Sequence, residues 1–250
     1  MTKIKGITFD LWDTLVYDNS DEPKRQALGL QSKHDERRDL LWKALNTEDN
    51  ISKEDATLAY NVSEAAFNNA WKKHSITWSV EERIDIILHA IGKNMPESIK
   101  GQLIRDLGEM EVNIPPDFIE GVHDALDILT TNYKLAIVSD AIVTPGLGLR
   151  EVLRKNELLN FFSGFAFSDE VGYSKPHASM FESAAAQLGI SVNEMIHIGD
   201  RDHNDIKGPQ AIGMKAILFT ASRDVDKGSS SADAICERFD DLPKIIERLI

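Results

Sequence analysis

The sequence predicts an α/β protein: a parallel sheet flanked by helices and broken after its first strand by an all-helical insertion. Three observations predict it. Short apolar runs end abruptly in an acid: GITFD at Asp10, KLAIVSD at Asp140 and EMIHIGD at Asp200, with GFAFSD at Asp169 a similar fourth. Helical periodicity lies between those runs. From residue 17 to about 115, strand signals nearly vanish and helical patterns take over.

The elements follow in order. The first run is rich in Ile and Phe and alternates only weakly, as do the later ones, which is expected of strands covered on both faces. Within the insertion, Ser79 and Glu82 are spaced for a capping box, in which hydroxyl and carboxylate each satisfy a free N–H at the helix start. Val80, Ile84, Ile87, Leu88 and Ile91 then share one face, and Gly92 closes the helix. Ile99, Leu103, Leu107 and Met110 form a second such face, and Trp42, Trp71 and Trp78 all fall in this segment. Pro115 and Pro116 mark the return to the sheet. Ile119, Val122, Leu126 and Leu129 mark a helix before KLAIVSD, and Met180, Phe181, Ala184 and Leu188 another before EMIHIGD. KAILFT, residues 215–220, reads as a further strand, GSSSAD at 228–233 as a flexible loop, and Leu242, Ile245, Ile246 and Leu249 as a closing helix. The expected organisation is a core of residues 1–16 and 116–250 and a helical cap of residues 17–115.

Over 250 residues the net charge is −13, which argues against a general nucleic-acid or anionic-membrane binder, because phosphate backbones reward Lys and Arg. A small phosphorylated ligand stays admissible, since a few local donors and a metal hold such an anion whatever the total charge. The single cysteine, Cys236, excludes an internal disulfide framework and fits a reducing compartment. No run approaches the ~18 apolar residues needed to span a bilayer, and the opening MTKIKG lacks a signal-peptide pattern, so a cytoplasmic location is expected. Nothing in the sequence sets the oligomeric state.

Open parallel sheets bind ligands beyond the C-terminal ends of their strands, where Asp10, Asp140, Asp169 and Asp200 are expected. The densest signal is IGDRDHNDIKG, residues 198–208, with Asp200, Asp202 and Asp205 directly after a strand. By themselves these acids also suit a solvated loop capping the next helix. Asp200 beside Asp10 would set two carboxylates against each other at about 4 kcal/mol, for ~4 Å and an effective dielectric of ~20. A hard cation relieves this, and Mg²⁺ typically uses one or two carboxylates, water and substrate phosphate. Thr14 after the first strand, Ser139 at the end of the second and Lys175 in YSKPH add two hydroxyls and an ammonium. Each is a weak signal alone. The ordered set at strand ends would make a phosphate cradle.

On these motifs the chain resembles the haloacid dehalogenase-like hydrolase superfamily over nearly its whole length. FDLWDTLV resembles the first motif of that family, IVSDA the second, YSKPHASMFESAAAQLG the third and HIGDRDHNDIKGPQAIGM the fourth. The resemblance implies a Rossmann-like core with a helical cap inserted after the first motif, a small phosphorylated substrate, and Mg²⁺. It also implies roles. Asp10 would be the nucleophile, forming a covalent aspartyl intermediate, and Ser139 and Lys175 would hold the phosphate or the nucleophile. Asp10, Asp200 and the backbone carbonyl of Trp12 would bind Mg²⁺, with Asp205 supporting the metal from nearby. Trp12, Thr14, Ser139, Asp140 and Lys175 are expected around the substrate.

Trp12 departs from the family pattern. In phosphatases of this family the residue two after the nucleophile is usually a second Asp, which protonates the leaving oxygen and then activates water. Trp12 cannot transfer a proton, and losing such a group costs about 10²–10⁴ in rate. Asp13 is next door, but neighbours on an extended segment point opposite ways, so it is expected to hydrogen-bond within the turn. Dehalogenase members often carry an aromatic residue here, because halide needs no proton. They lack the metal ligands, however, and have Asn where Asp140 stands. Three readings follow: a Mg²⁺-dependent hydrolase of a small phosphorylated metabolite, metal-independent displacement at carbon as in 2-haloacid dehalogenases, and a weakly active homologue that binds a phosphorylated ligand. The metal-site acids favour the first, and Trp12 also suits plain packing. His197 is expected to be a satisfied core residue and His203 to be solvated or turn-bonding. Trp42, Trp71 and Trp78 read as core more readily than as pocket.

Overall fold

The apolar runs form one parallel sheet. The computed structural model describes residues 3–47 and 51–249. In it, β1 (Gly6–Phe9), β2 (Lys134–Ser139), β3 (Phe162–Phe167), β4 (Met195–Gly199), β5 (Lys215–Phe219) and β6 (Ala234–Cys236) pair in the order β3-β2-β1-β4-β5-β6. Every pairing is parallel. The edge strand β6 escaped the sequence pattern because three residues emerging from the GSSSAD loop are too short to show alternation.

The insertion supplies α1 (Asp21–Ala27), α2 (Lys33–Leu45), α3 (Lys53–His74), α4 (Val80–Ala90), α5 (Glu97–Gly108) and the single turn α6 (Met110–Asn113). The core supplies α7 (Val122–Thr130), α8 (Gly146–Lys155), the turn α9 (Ser168–Val171), α10 (Ala178–Leu188), the turn α11 (Gly208–Ala211) and α12 (Leu242–Leu249). Alternation along the strands sorts their side chains to the two helical layers. Phe9, Leu135 and Ile137 pack with Leu126 and Leu129 of α7, Leu149 of α8 and Ile246 of α12. Ala136, Val138 and Ala166 pack with Met180, Phe181, Ala184 and Leu188 of α10. Burying one such large side chain contributes ~1.5–3 kcal/mol, so both layers hold the sheet more firmly than helix propensity does. Among the described residues, no helix is long and apolar enough to cross a membrane.

The insertion has an apolar centre of its own. Leu41, Leu45, Tyr60, Ile84, Ile87, Leu88, Leu103 and Leu107 meet there, and Val143, from the segment after β2, enters it from the core side. The capping box of Ser79 and Glu82 forms in full at the start of α4. One expectation is corrected. The face through Ile99, Leu103, Leu107 and Met110 is not one helix, because α5 stops at Gly108 and Met110 opens α6. Gly108 packs against Pro145, where an added Cβ would lie 3.0 Å from the proline ring.

The strand order places a switch point between β1 and β4. The chain runs outward from β1 through β2 to β3, then crosses back to β4 and runs outward the other way. Ligands bind at such reversals, beyond the carboxyl ends of the strands.

Candidate active site

Register brings the acids together. Phe9 lies opposite Ile137 on β2 and Ile198 on β4. The Asp10 N–H continues that ladder, donating to the Ile198 carbonyl at 2.8 Å, so Asp10 and Asp200 meet at the switch point. One carboxylate oxygen from each of Asp10, Asp200 and Asp205 lies within 4.8 Å of the others, and all three residues are buried. Lys175 Nζ sits among them, 2.7 Å from Asp10 Oδ1 and 2.7 Å from Asp205 Oδ1.

Asp205 reaches the cluster from a π-helical segment, Asp202–Lys207. Such segments are rare and often mark functional sites. Asp205 folds back against Gly199 so closely that a Cβ there would lie 2.4 Å from the Asp205 Cγ, which is why a glycine ends β4. Protein donors occupy both Asp205 oxygens. Oδ1 accepts from Lys175 and pairs with His197 Nε2 at 3.2 Å, and Oδ2 accepts the Arg201 N–H at 3.0 Å. The other ring nitrogen of His197 meets the Thr8 hydroxyl at 2.8 Å. His197 is thus the satisfied, buried residue expected, and it also borders the site.

Asp200 is the opposite case. Both of its oxygens are buried and have no hydrogen-bond partner. The cations facing it, Arg201 and Arg223, lie 3.6 and 3.9 Å away. Burial first, then the charges of Asp205 and Asp10, push its carboxyl up to about 8. Burial also raises Asp10, against the pull of Lys175. At Asp205 burial works the same way, but Lys175 and His197 overcome it and hold the carboxyl well below its ordinary range. Burial lowers the Lys175 ammonium, yet Asp10, Asp205 and Asp140 outweigh it and keep the lysine charged. An orphaned pair of buried oxygens beside a second carboxylate is a hard donor set that suits a divalent cation. Asp205, committed to three N–H groups, suits support from one step away.

A cavity of about 250 Å³ opens over Asp10 and is also lined by Trp12, Asp140 and Lys175. Thr14 and Ser139 are fully buried with hydroxyls that lack partners. Asp140 accepts the Lys175 N–H on Oδ1 at 3.0 Å and the Trp71 indole N–H on Oδ2 at 3.1 Å. Burial lifts its carboxyl to about 6. Trp12 is half-buried, and its indole N–H donates to the Asp140 carbonyl at 3.1 Å, so it both packs and shapes the cavity wall. Asp13 adopts the left-handed φ of 54° and accepts the Asp18 N–H at 3.3 Å, the turn role expected of it.

Other acids lie outside the cluster. Asp169, near the sheet edge, accepts the Gly146 N–H at the start of α8. Asp202 pairs with Lys207 at 2.7 Å, and His203 is exposed. Periodicity missed Trp71, Asp18, Lys33 and Arg201 as cavity residues. Their placement depends on how the insertion meets the core, which no local pattern encodes. Trp78 packs on Phe67 and Trp42 against the insertion's centre, as expected.

Residues 45–219 match the sequence model of a family described as haloacid dehalogenase-like hydrolase. The chain belongs to this family. The haloacid dehalogenase-like fold covers it from end to end. A 2-haloacid dehalogenase from Pseudomonas syringae pv. Tomato superposes with a TM-score of 0.67 at 20% identity, covering 99% of this chain and 100% of that one. A HAD phosphatase from Thermococcus onnurineus does so at 0.64 and 22% identity, covering 97% and 98%. In sequence, the glyceraldehyde 3-phosphate phosphatase of Methanocaldococcus jannaschii is 24% identical over 98% of either chain. Neighbours this distant share the fold of the haloacid dehalogenase-like hydrolases, and chemistry has to be argued from the side chains.

Proposed function

We propose that the protein is a Mg²⁺-dependent phosphatase of a small phosphorylated metabolite, acting through an aspartyl phosphate on Asp10, with residues 17–115 as a cap over a core of 1–16 and 116–250. The buried carboxylate of Asp200 beside Asp10 carries this reading, because a divalent cation would satisfy two oxygens that no hydrogen-bond donor reaches. The phosphatase name of the Methanocaldococcus jannaschii relative supports it. So does that of a ribulose-1,5-bisphosphate 5-phosphatase from Halopiger xanaduensis, 28% identical over 51% of either chain.

The residues divide the work. Lys175, 2.7 Å from Asp10 Oδ1, opposes the effect of burial on that carboxylate, and the other Asp10 oxygen attacks phosphorus. The ester P–O bond breaks, the alcohol leaves, and a phosphoryl group stays on Asp10. Water then cleaves that mixed anhydride, restoring Asp10 and releasing phosphate. Thr14 and Ser139 carry buried hydroxyls without partners, which would be available to phosphate oxygens. A divalent cation, held by Asp10, Asp200 and the Trp12 carbonyl, would neutralise the charge gathered on the phosphoryl oxygens. Trp12 supplies no proton, so the leaving alcohol must be a good one or take its proton from solvent.

A nitrophenyl phosphate assay tests this. Activity is expected with Mg²⁺, none with EDTA, and none for Asp10→Asn. Full activity in Asp10→Asn would reject the nucleophile, and chloride release from a 2-chloro acid that ignores EDTA would move the reading to chemistry at carbon.

A further inference from the structure

We propose that Trp71, with the turn that follows it, is a positioning residue for Lys175, so that the helical insertion sets the loop on which this lysine stands. Helix α3 ends in a left-handed αL reversal. The Ser75 N–H donates to the Trp71 carbonyl at 3.0 Å, the Ile76 N–H to that of Ala70 at 3.4 Å, and Ser75 takes a left-handed φ of 53°. The reversal lays residues 75–77 alongside 172–174. Ser174 donates its N–H to the Ser75 carbonyl at 2.8 Å, Thr77 donates to the Gly172 carbonyl at 3.4 Å, and Ile76 and Tyr173 form an antiparallel bridge.

The next residue is Lys175. Its N–H donates to Asp140 Oδ1, and the other oxygen of that carboxylate takes the Trp71 indole N–H. Two groups four residues apart on the insertion, the Ser75 carbonyl and the Trp71 indole, therefore hold the backbone of Ser174 directly and that of Lys175 through Asp140. Trp71 is itself fixed by stacking on Phe67, with ring centres 6.5 Å apart and planes 10° from parallel. The Lys175 ammonium must meet two carboxylates at once, so a loop displaced by an ångström would lose one of them.

The kinetic consequence rests on the phosphatase reading, whereas the structural tie does not, and the experiment separates them. Trp71→Phe keeps a stacking ring and removes the N–H. Deuterium exchange of the peptide spanning residues 172–178 is expected to be about tenfold faster in this variant, the effect of one lost hydrogen bond to a charged acceptor. Its melting temperature is expected to fall by only a few degrees, the cost of that one bond. With nitrophenyl phosphate, kcat/KM is expected to fall about tenfold. Combining Trp71→Phe with Asp140→Asn is expected to do no more harm than Asp140→Asn alone, because Trp71 acts through that carboxylate. Unchanged exchange at 172–178, or additive losses in the double variant, would overturn the proposal. If Trp71→Phe fails to fold, exchange in Asp140→Asn decides by the same criterion. Faster exchange in a protein without phosphatase activity would keep the tie and reject the catalytic reading.

Discussion

Replacing Lys175 with methionine keeps the length of the side chain and removes the charge between Asp10 and Asp205. Both carboxylates then lose a cation 2.7 Å away while remaining buried, with side-chain exposures of 8% and 0%. Deleting one partner of a buried pair costs about 3–5 kcal/mol. For a chain of this size that corresponds to a fall in Tm of roughly 6–20 °C. The pH dependence fixes the cause. Without Lys175, burial and mutual repulsion lift the carboxyls of Asp10 and Asp205 above their unfolded value. The folded variant then binds protons more tightly than the unfolded chain, so the deficit is small near pH 4 and grows as pH rises. Mg²⁺ restores positive charge beside Asp10 and is expected to reduce it. Circular-dichroism melts of both proteins at about pH 5 and pH 8, with and without Mg²⁺, measure each quantity. A Lys175→Met protein that melts with the wild type at pH 8 without metal would refute the compensation argued from these distances.

Three further outcomes are expected. Asp200, raised to about 8 from an ordinary 3.8, favours the metal-free fold only while protonated, so its contribution is lost as pH climbs through that window. Stabilisation by Mg²⁺, read as a shift in Tm, should therefore grow from about pH 5 to pH 8, and Asp200→Asn should abolish it; a flat profile would contradict the site. Gly199→Ala puts a methyl group 2.4 Å from the Asp205 Cγ and should weaken Mg²⁺ binding and activity by more than tenfold, as titration calorimetry and kinetics would register. Trp12→Asp should speed hydrolysis of alkyl phosphates by up to ~10² while barely changing nitrophenyl phosphate, and equal effects on both would mean that proton supply is not what Trp12 withholds.

The sequence exposed what its local patterns encode. Runs such as KLAIVSD showed the central strands, and their terminal acids marked the sheet edge. The amphipathic face from Val80 to Ile91 and its capping box showed α4. Contacts between distant segments were illegible. Nothing in the spacing told that Asp205 would spend its oxygens on Lys175, His197 and Arg201 while Asp200 kept both free. Trp71 read as core because aromatic residues at helical spacing usually are, and 69 residues separate it from Asp140. Gly108 gave no warning that Pro145 would press against it.

Trp12 makes a short-lived species accessible. With an indole where a water-activating carboxylate is expected, the aspartyl phosphate made from nitrophenyl phosphate should form faster than it breaks down and accumulate. Acid quenching of the enzyme during turnover of nitrophenyl phosphate, followed by peptide mass mapping, should find one phosphoryl group on Asp10 when Mg²⁺ is present and none with EDTA. Turnover with Asp10 never modified, or with the phosphoryl group on another residue, would contradict the assignment of Asp10 as the nucleophile.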